Sequence, residues 1–328
     1  MKFAAFTDLL EELKNCALCP RNCHADRFSG SKGVCNSDAS FNIASICIHH
    51  GEEPAITGSS GICNIFFAGC NLQCIYCQNH QISRTIHRAV IHREATPQPQ
   101  NHRSVHPFRI DISEVITQIT TILNQGINRV GFVSPSHFIP QMKVIINIIH
   151  SLGYKPVWVY NTNGYDKAET LRTLEGMIDI YLPDFKYIDT ELSGQYSGAR
   201  DYPEYAAKAL KEMYRQKGNS LITDENNVAE SGIIVRHLVL PGHVANSLGV
   251  LRFLAEEISP RIHVSLMAQY YPTEMVNNHP YLSRTVSQSE YLQVIEEMEK
   301  LGMYNGWIQE FESSEFYRPN FNNPHPFE

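Results

Sequence analysis

Several things are scarce or missing in this 328-residue sequence. It has no run of 18 or more consecutive apolar residues, which excludes an ordinary transmembrane helix and argues against a membrane partner. The opening MKFAAFTDLLEELKN carries acids where a secretion signal needs an apolar centre, so a cytoplasmic protein is expected. Positive charge is thin: Lys plus Arg is 27 against 34 for Asp plus Glu, a net charge of −7 with no basic run, which excludes a sequence-independent grip on nucleic acid. Cysteine is missing from residue 78 onward; all nine stand at 16, 19, 23, 35, 47, 63, 70, 74 and 77. An even spread, as in a disulfide framework, is thereby excluded. In a reducing compartment such clustering points to metal ligation or catalysis.

What is present is an α/β pattern. With 43% hydrophobic residues the chain can bury a full core. Phe3, Phe6, Leu9, Leu10 and Leu13 recur at helical spacing and predict an N-terminal helix. Apolar runs at 62–68, 130–134, 156–160, 178–182, 233–240 and 263–268 predict six strands. Helical periodicity falls between and after them, at 112–124, 139–152, 168–175, 202–216, 245–258 and 287–301. Six such repeats make a parallel sheet or an open barrel, and periodicity alone does not separate these from a doubly wound sheet. The His-, Arg- and Pro-rich stretch 86–109 reads as a loop, and the aromatic tail after Trp307 as a strap on the body.

The strongest signal is GCNLQCIYCQNH, in which Cys70, Cys74 and Cys77 stand at C-x3-C-x2-C directly after the first run. Structural zinc and ordinary cubane clusters take four protein ligands. Three close thiols suggest a cubane whose last iron is open to another ligand, against chance thiols in a loop or a zinc site that borrows a histidine such as His80. A second group, NCALCPRNCHADRFSGSKGVC, sets Cys16, Cys19, Cys23 and Cys35 at C-x2-C-x3-C-x11-C; it suits either a second iron–sulfur cluster or zinc, and thiolates alone do not choose. Cys47 and Cys63 read as small buried residues beside the first strand. Glu52 and Glu53 read as an exposed cap or salt-bridge donors, and the fifteen histidines as surface residues.

With Tyr76 as the aromatic residue before its third cysteine, the loop resembles that of the radical S-adenosylmethionine superfamily. The stretches HHGEEPAITGSSG, FFAGCNLQCIYCQN, SPSHFIP, VYNTNGYD, DIYLPDFKY, VRHLVLPGH and SLMAQYYP are similar, more narrowly, to uncharacterised iron–sulfur proteins described as like pyruvate formate-lyase activating enzyme. The resemblance implies an incomplete (β/α)6 barrel at 41–285, preceded by a helix and cysteine-rich segment at 1–40 and followed by a helix and strap at 286–328. It implies a [4Fe-4S] cluster on Cys70, Cys74 and Cys77 and reductive cleavage of S-adenosylmethionine to a 5′-deoxyadenosyl radical that takes hydrogen from a substrate, an oxidoreductase chemistry.

The implied substrate is unassigned, a glycyl-radical enzyme being one option, and the implied reductant is a flavodoxin or ferredoxin. The implied cofactor-binding residues are Tyr76, Ser134, Ser136, Asn161, Asn163, Asp184, Lys186, Arg236 and Gln269. Two departures stand out. Ser134-Pro135-Ser136-His137 replaces the Gly-Gly-Glu that receives the amino group of S-adenosylmethionine in most members, and Asn161 replaces the acid of an Asp-Thr-Asn-Gly segment. The competing class is a non-enzymatic iron–sulfur electron carrier or scaffold, which needs no open iron; a zinc-binding module is the other competitor.

Overall fold

The structure, a computed structural model, describes residues 3–84, 108–315, 318–323 and 325–327, with side chains left out at 3–7 and 314–315. The predicted loop lies outside the described residues except at its end.

Ten strands follow in chain order: β1 (Phe41–His49), β2 (Ile62–Phe67), β3 (Arg109–Ile110), β4 (Arg129–Val133), β5 (Val157–Thr162), β6 (Ile180–Pro183), β7 (Ile222–Thr223), β8 (Ala229–Leu238), β9 (His263–Met267) and β10 (Gly306–Ile308). They form one sheet in the order β10-β9-β8-β6-β5-β4-β2-β1-β3, with β7 beside β8. From β2 to β10 every neighbour along that path is parallel, and β1 is antiparallel to both β2 and β3. The sheet is open, with edges at β3 and β10. The chain is therefore mixed α/β around one large sheet.

All six predicted runs are strands, and their composition says why. β2 (ICNIFF) and β4 (RVGFV) are buried along their whole length, as strands covered on both faces must be. Burying a side chain such as Ile65 or Phe132 contributes about 1.5–3 kcal/mol. Between and after them lie the helices Ile112–Leu123, Ile139–Ser151, Ala168–Arg172, Tyr202–Lys217, Val244–Phe253 and Gln288–Lys300. The first buries Ile112, Val115, Ile116, Ile119 and Ile122 and is capped by Asp111, whose side chain accepts from the Ser113 amide at 2.8 Å. The last opens with a full capping box between Ser287 and Glu290.

The differences lie mostly outside these repeats. The N-terminal segment Phe3–Asn15 is a 3-10 helix, with Leu13 buried. β1 was not predicted, nor was the helix Thr190–Ser197, which Asp189 caps and the left-handed Gly198 ends. Among the described residues no helix is long and apolar enough to cross a membrane.

Candidate active site at the carboxyl ends of the parallel strands

Because β2, β4, β5, β6, β8 and β9 run in one direction, the residues near their carboxyl ends meet at one end of the sheet. There they line a pocket of about 210 Å³. Cys70, Cys74, Tyr76 and Cys77 come from the loop after β2, and Ser134 follows β4. Asn161 and Asn163 come from the end of β5, Asp184 and Lys186 follow β6, Arg236 lies in β8, and Gln269 follows β9.

Of the residues singled out in sequence, Ser136 is placed elsewhere. Its hydroxyl lies 3.2 Å from that of Thr162, in a buried network with Asp166 and Tyr160 beneath the pocket. Ser134, by contrast, lines the wall in a left-handed conformation at φ 54° and donates its amide to the Asn161 carbonyl at 2.8 Å.

The cysteine loop is held from several sides. The amides of Gln73 and Ile75 donate to the Ser197 and Tyr196 carbonyls at 3.0 and 2.8 Å, at the end of the Thr190–Ser197 helix. Asn71 donates to the Tyr165 carbonyl at 2.7 Å. Each thiol has a hydrogen-bonding neighbour: Cys70 accepts from Asn163 Nδ2 at 3.3 Å, Cys74 Sγ lies 3.0 Å from Ser197 Oγ, and Cys77 Sγ lies 3.3 Å from Ser83 Oγ. From Ser197 a hydroxyl chain continues to Tyr187 at 2.8 Å and on to Tyr76 at 2.5 Å. Burial, reinforced by the charges of Cys74 and Cys77, pushes the Cys70 thiol up to about 12. Burial also raises Cys74, against the pull of the nearby Lys186 cation. Unliganded, Cys70 is a neutral thiol, so metal binding must displace its proton.

Two ion-paired cations form the charged wall. Lys186 pairs with Asp184; burial opposes its charge, but the carboxylate outweighs this and raises its pKa. Arg236 lies 3.1 Å from carboxylate oxygens of both Glu52 and Glu53. Glu52 also accepts from Asn64 at 2.8 Å and from Asn161 at 3.3 Å. This corrects the reading of Glu52 and Glu53 as exposed. Their side chains are 7% and 4% accessible, in the stretch that follows the unpredicted β1, where Arg236 pairs with both. His49, His137 and His237 are likewise buried, and His49 lines the pocket. Cys47 and Cys63 are buried in β1 and β2, as predicted.

The donor set is of the type that iron–sulfur centres use, three thiols lining one pocket. Among the described residues no group of three or more His, Cys, Asp or Glu side chains is one that could hold a metal ion. Sequence reading had Glu52 and Glu53 as salt-bridge partners, which holds, without placing Glu52 on the pocket. The residues it missed are Ser83, Tyr187 and Ser197.

The chain matches no protein-family model. It is 26% identical over 292 residues to an uncharacterized protein of Methanocaldococcus jannaschii, covering 88% of this chain and 76% of that one. Among solved structures it is similar to a domain of pyruvate-formate lyase-activating enzyme from Bacteroides vulgatus, at 15% identity and a TM-score of 0.37, over 52% of this chain and 93% of that one. It is also similar to Streptococcus suis SuiB bound to S-adenosylmethionine, at 13% identity and a TM-score of 0.46, over 74% of this chain. This chain spans 48% of the SuiB chain. At such scores the likeness is loose.

Proposed function

We propose that the chain is a radical S-adenosylmethionine enzyme, its open sheet being the incomplete barrel of that superfamily. The observation that carries the reading is the convergence of the Cys70, Cys74 and Cys77 thiols on one pocket wall, with the Lys186–Asp184 and Arg236–Glu52 pairs on the same pocket. When bound there, a reduced [4Fe-4S] cluster with one open iron would supply the electron that breaks the S–C5′ bond of S-adenosylmethionine, leaving methionine and a 5′-deoxyadenosyl radical that takes hydrogen from the substrate.

The residues divide the remaining work. Cys70, Cys74 and Cys77 hold the metal as thiolates, and Asn163, Ser197 and Ser83 orient those sulfurs. Lys186 is a point charge suited to a carboxylate, and Glu52 with Asn161 is an acceptor and donor pair suited to ammonium and hydroxyl groups. Phe66 and Phe327 add apolar wall that keeps water from a reactive intermediate. The reading extends to a substrate radical on a protein, a backbone glycine included, and to a flavodoxin or ferredoxin as reductant.

Electron paramagnetic resonance of the anaerobically reconstituted, reduced protein tests this reading. The spectrum is expected to change on adding S-adenosylmethionine, and to lose that response when Cys70, Cys74 and Cys77 are all replaced by Ala. A spectrum indifferent to the cofactor would favour the electron carrier instead.

A further inference from the structure

We propose that Cys16, Cys19, Cys23 and Cys35 hold a second, fully ligated iron–sulfur cluster that relays single electrons to the site at Cys70, Cys74 and Cys77. The proposal rests on the reading of that site given above. It is carried by where the fold puts the quartet, which spacing alone could not show.

The four thiols share one small knot. An isolated bridge joins Cys16 to Ala25, the amide of Cys16 donating to the Ala25 carbonyl at 3.0 Å and that of His24 to the Cys16 carbonyl at 2.9 Å. The amide of Asn22 donates to the Cys19 carbonyl at 3.2 Å, turning the chain back toward Cys23, and Cys23 Sγ accepts at 3.4 Å from the amide of Val34, the residue before Cys35. Gly33 lets the two ends of the segment close, since a Cβ there would lie 2.6 Å from Cys23 Sγ. Arg27 is wholly buried beside the knot, its Nη1 reaching 4.0 Å from Cys16 Sγ and 2.6 Å from the His137 carbonyl. A buried guanidinium is suited to balancing an anionic metal–thiolate group.

This knot abuts the loop of the pocket site. Gly69, the residue before Cys70, has a φ of +81°, and a Cβ on it would fall 2.3 Å from the Cys35 carbonyl oxygen. A thiolate ligand of the quartet and one of the pocket site are thus separated by a single backbone contact. Arg21 adds a second link, donating to the Asn71 carbonyl at 2.8 Å and to the Gly198 carbonyl at 2.7 Å.

The knot also reaches solvent. Cys23 is partly accessible, and Val34, whose amide donates to its sulfur, is 43% exposed, giving an apolar entry point of the small kind that redox encounters use. A reduced one-electron donor of the ferredoxin or flavodoxin kind loses one electron there, the quartet cluster gains it, and the pocket cluster then takes it; no bond or proton need move. Zinc, which has no redox chemistry, would leave this path unused.

The test uses the full chain, reconstituted anaerobically, as wild type and as the Cys70→Ala/Cys74→Ala/Cys77→Ala variant. Iron, acid-labile sulfide and zinc are assayed, and spectra are recorded after dithionite with and without S-adenosylmethionine. The variant is expected to keep about half of the wild-type iron and sulfide, with a signal that the cofactor does not alter. Zinc without sulfide, or no metal, would overturn the second cluster. If the variant fails to fold, wild type alone decides: one cofactor-sensitive and one insensitive signal support the proposal, and a single, cofactor-sensitive signal refutes it. Failure of the pocket reading shows separately, as a wild-type spectrum wholly indifferent to the cofactor. For the relay, Cys23→Ser should slow reduction of the cofactor-sensitive signal by reduced flavodoxin severalfold, and an unchanged rate would overturn it.

Discussion

The two cysteine groups differ in what surrounds them more than in their ligands. Cys70, Cys74 and Cys77 face a pocket whose other walls carry charges and amides. Cys16, Cys19 and Cys35 are buried in a knot of turns, and only Cys23 is partly accessible. A site that keeps a coordination position open suits a reacting ligand, whereas a closed one suits structure or electron storage. The pocket thiols are set by side chains as far away in sequence as Asn163 and Ser197, while Cys23 accepts from the nearby Val34 amide at 3.4 Å. One group is therefore built by the whole sheet and the other by its own segment.

The largest effect that follows is loss of chemistry from the pocket side alone. Cys74→Ala is expected to reduce 5′-deoxyadenosine formation from S-adenosylmethionine under dithionite to background, read by chromatography of the products; wild-type amounts of product would sink the assignment. Cys19→Ala should instead lower the metal content while dithionite, which needs no protein docking site, still drives measurable cleavage. Full metal retention with all activity gone would erase the distinction between the two groups.

This contrast also bears on what sequence reasoning could reach. β2 and β4 were legible because strands buried on both faces are continuously apolar, and the C-x3-C-x2-C loop because its ligands are local. β1 was not: FNIASICIH has three half-buried positions in its middle and pairs antiparallel at the margin of the parallel array, so it escaped a search for repeating units. Losing β1 hid the pocket place of Glu52, whose role depends on Arg236 arriving from 184 positions later. The helix Thr190–Ser197 buries only Leu192 and Tyr196 among its apolar residues, too few to mark a period, and with it went Ser197. Its pairing with Cys74 spans 123 residues, which no spacing rule encodes.

A smaller expected effect is pH dependence from the strand that brings Arg236 to the pocket. His237 follows Arg236; its Nδ1 donates to the Phe185 carbonyl at 2.7 Å and its Nε2 accepts from Ser247 Oγ at 2.8 Å. Burial lowers its pKa to about 4. The unfolded chain, with an ordinary histidine near 6.5, binds the proton first, so this contribution is complete above about pH 6.5 and is lost as the pH falls toward 4. The loss amounts to about 3 kcal/mol over that window. Urea unfolding at pH 7 and pH 5 checks it. His237→Asn should be less stable at neutral pH but show a flatter slope, and an unchanged slope would locate the titration elsewhere.

The finest distinction concerns the hydroxyl chain from Tyr76 through Tyr187 and Ser197 to Cys74. Ser197 has one hydroxyl hydrogen; if Tyr187 donates to it, that hydrogen is left for the Cys74 sulfur. A donor to a cluster thiolate favours the reduced, more negative state and so raises the potential. Ser197→Ala should therefore lower the midpoint of the cofactor-sensitive signal and leave the insensitive one in place, in a redox titration followed by electron paramagnetic resonance. Tyr187→Phe should act in the same direction but more weakly, since it removes only the support behind the donor. If both signals move together in Ser197→Ala, the two cysteine groups are not electronically separate, and if neither moves, the Ser197 hydrogen points to Tyr187 rather than to the sulfur.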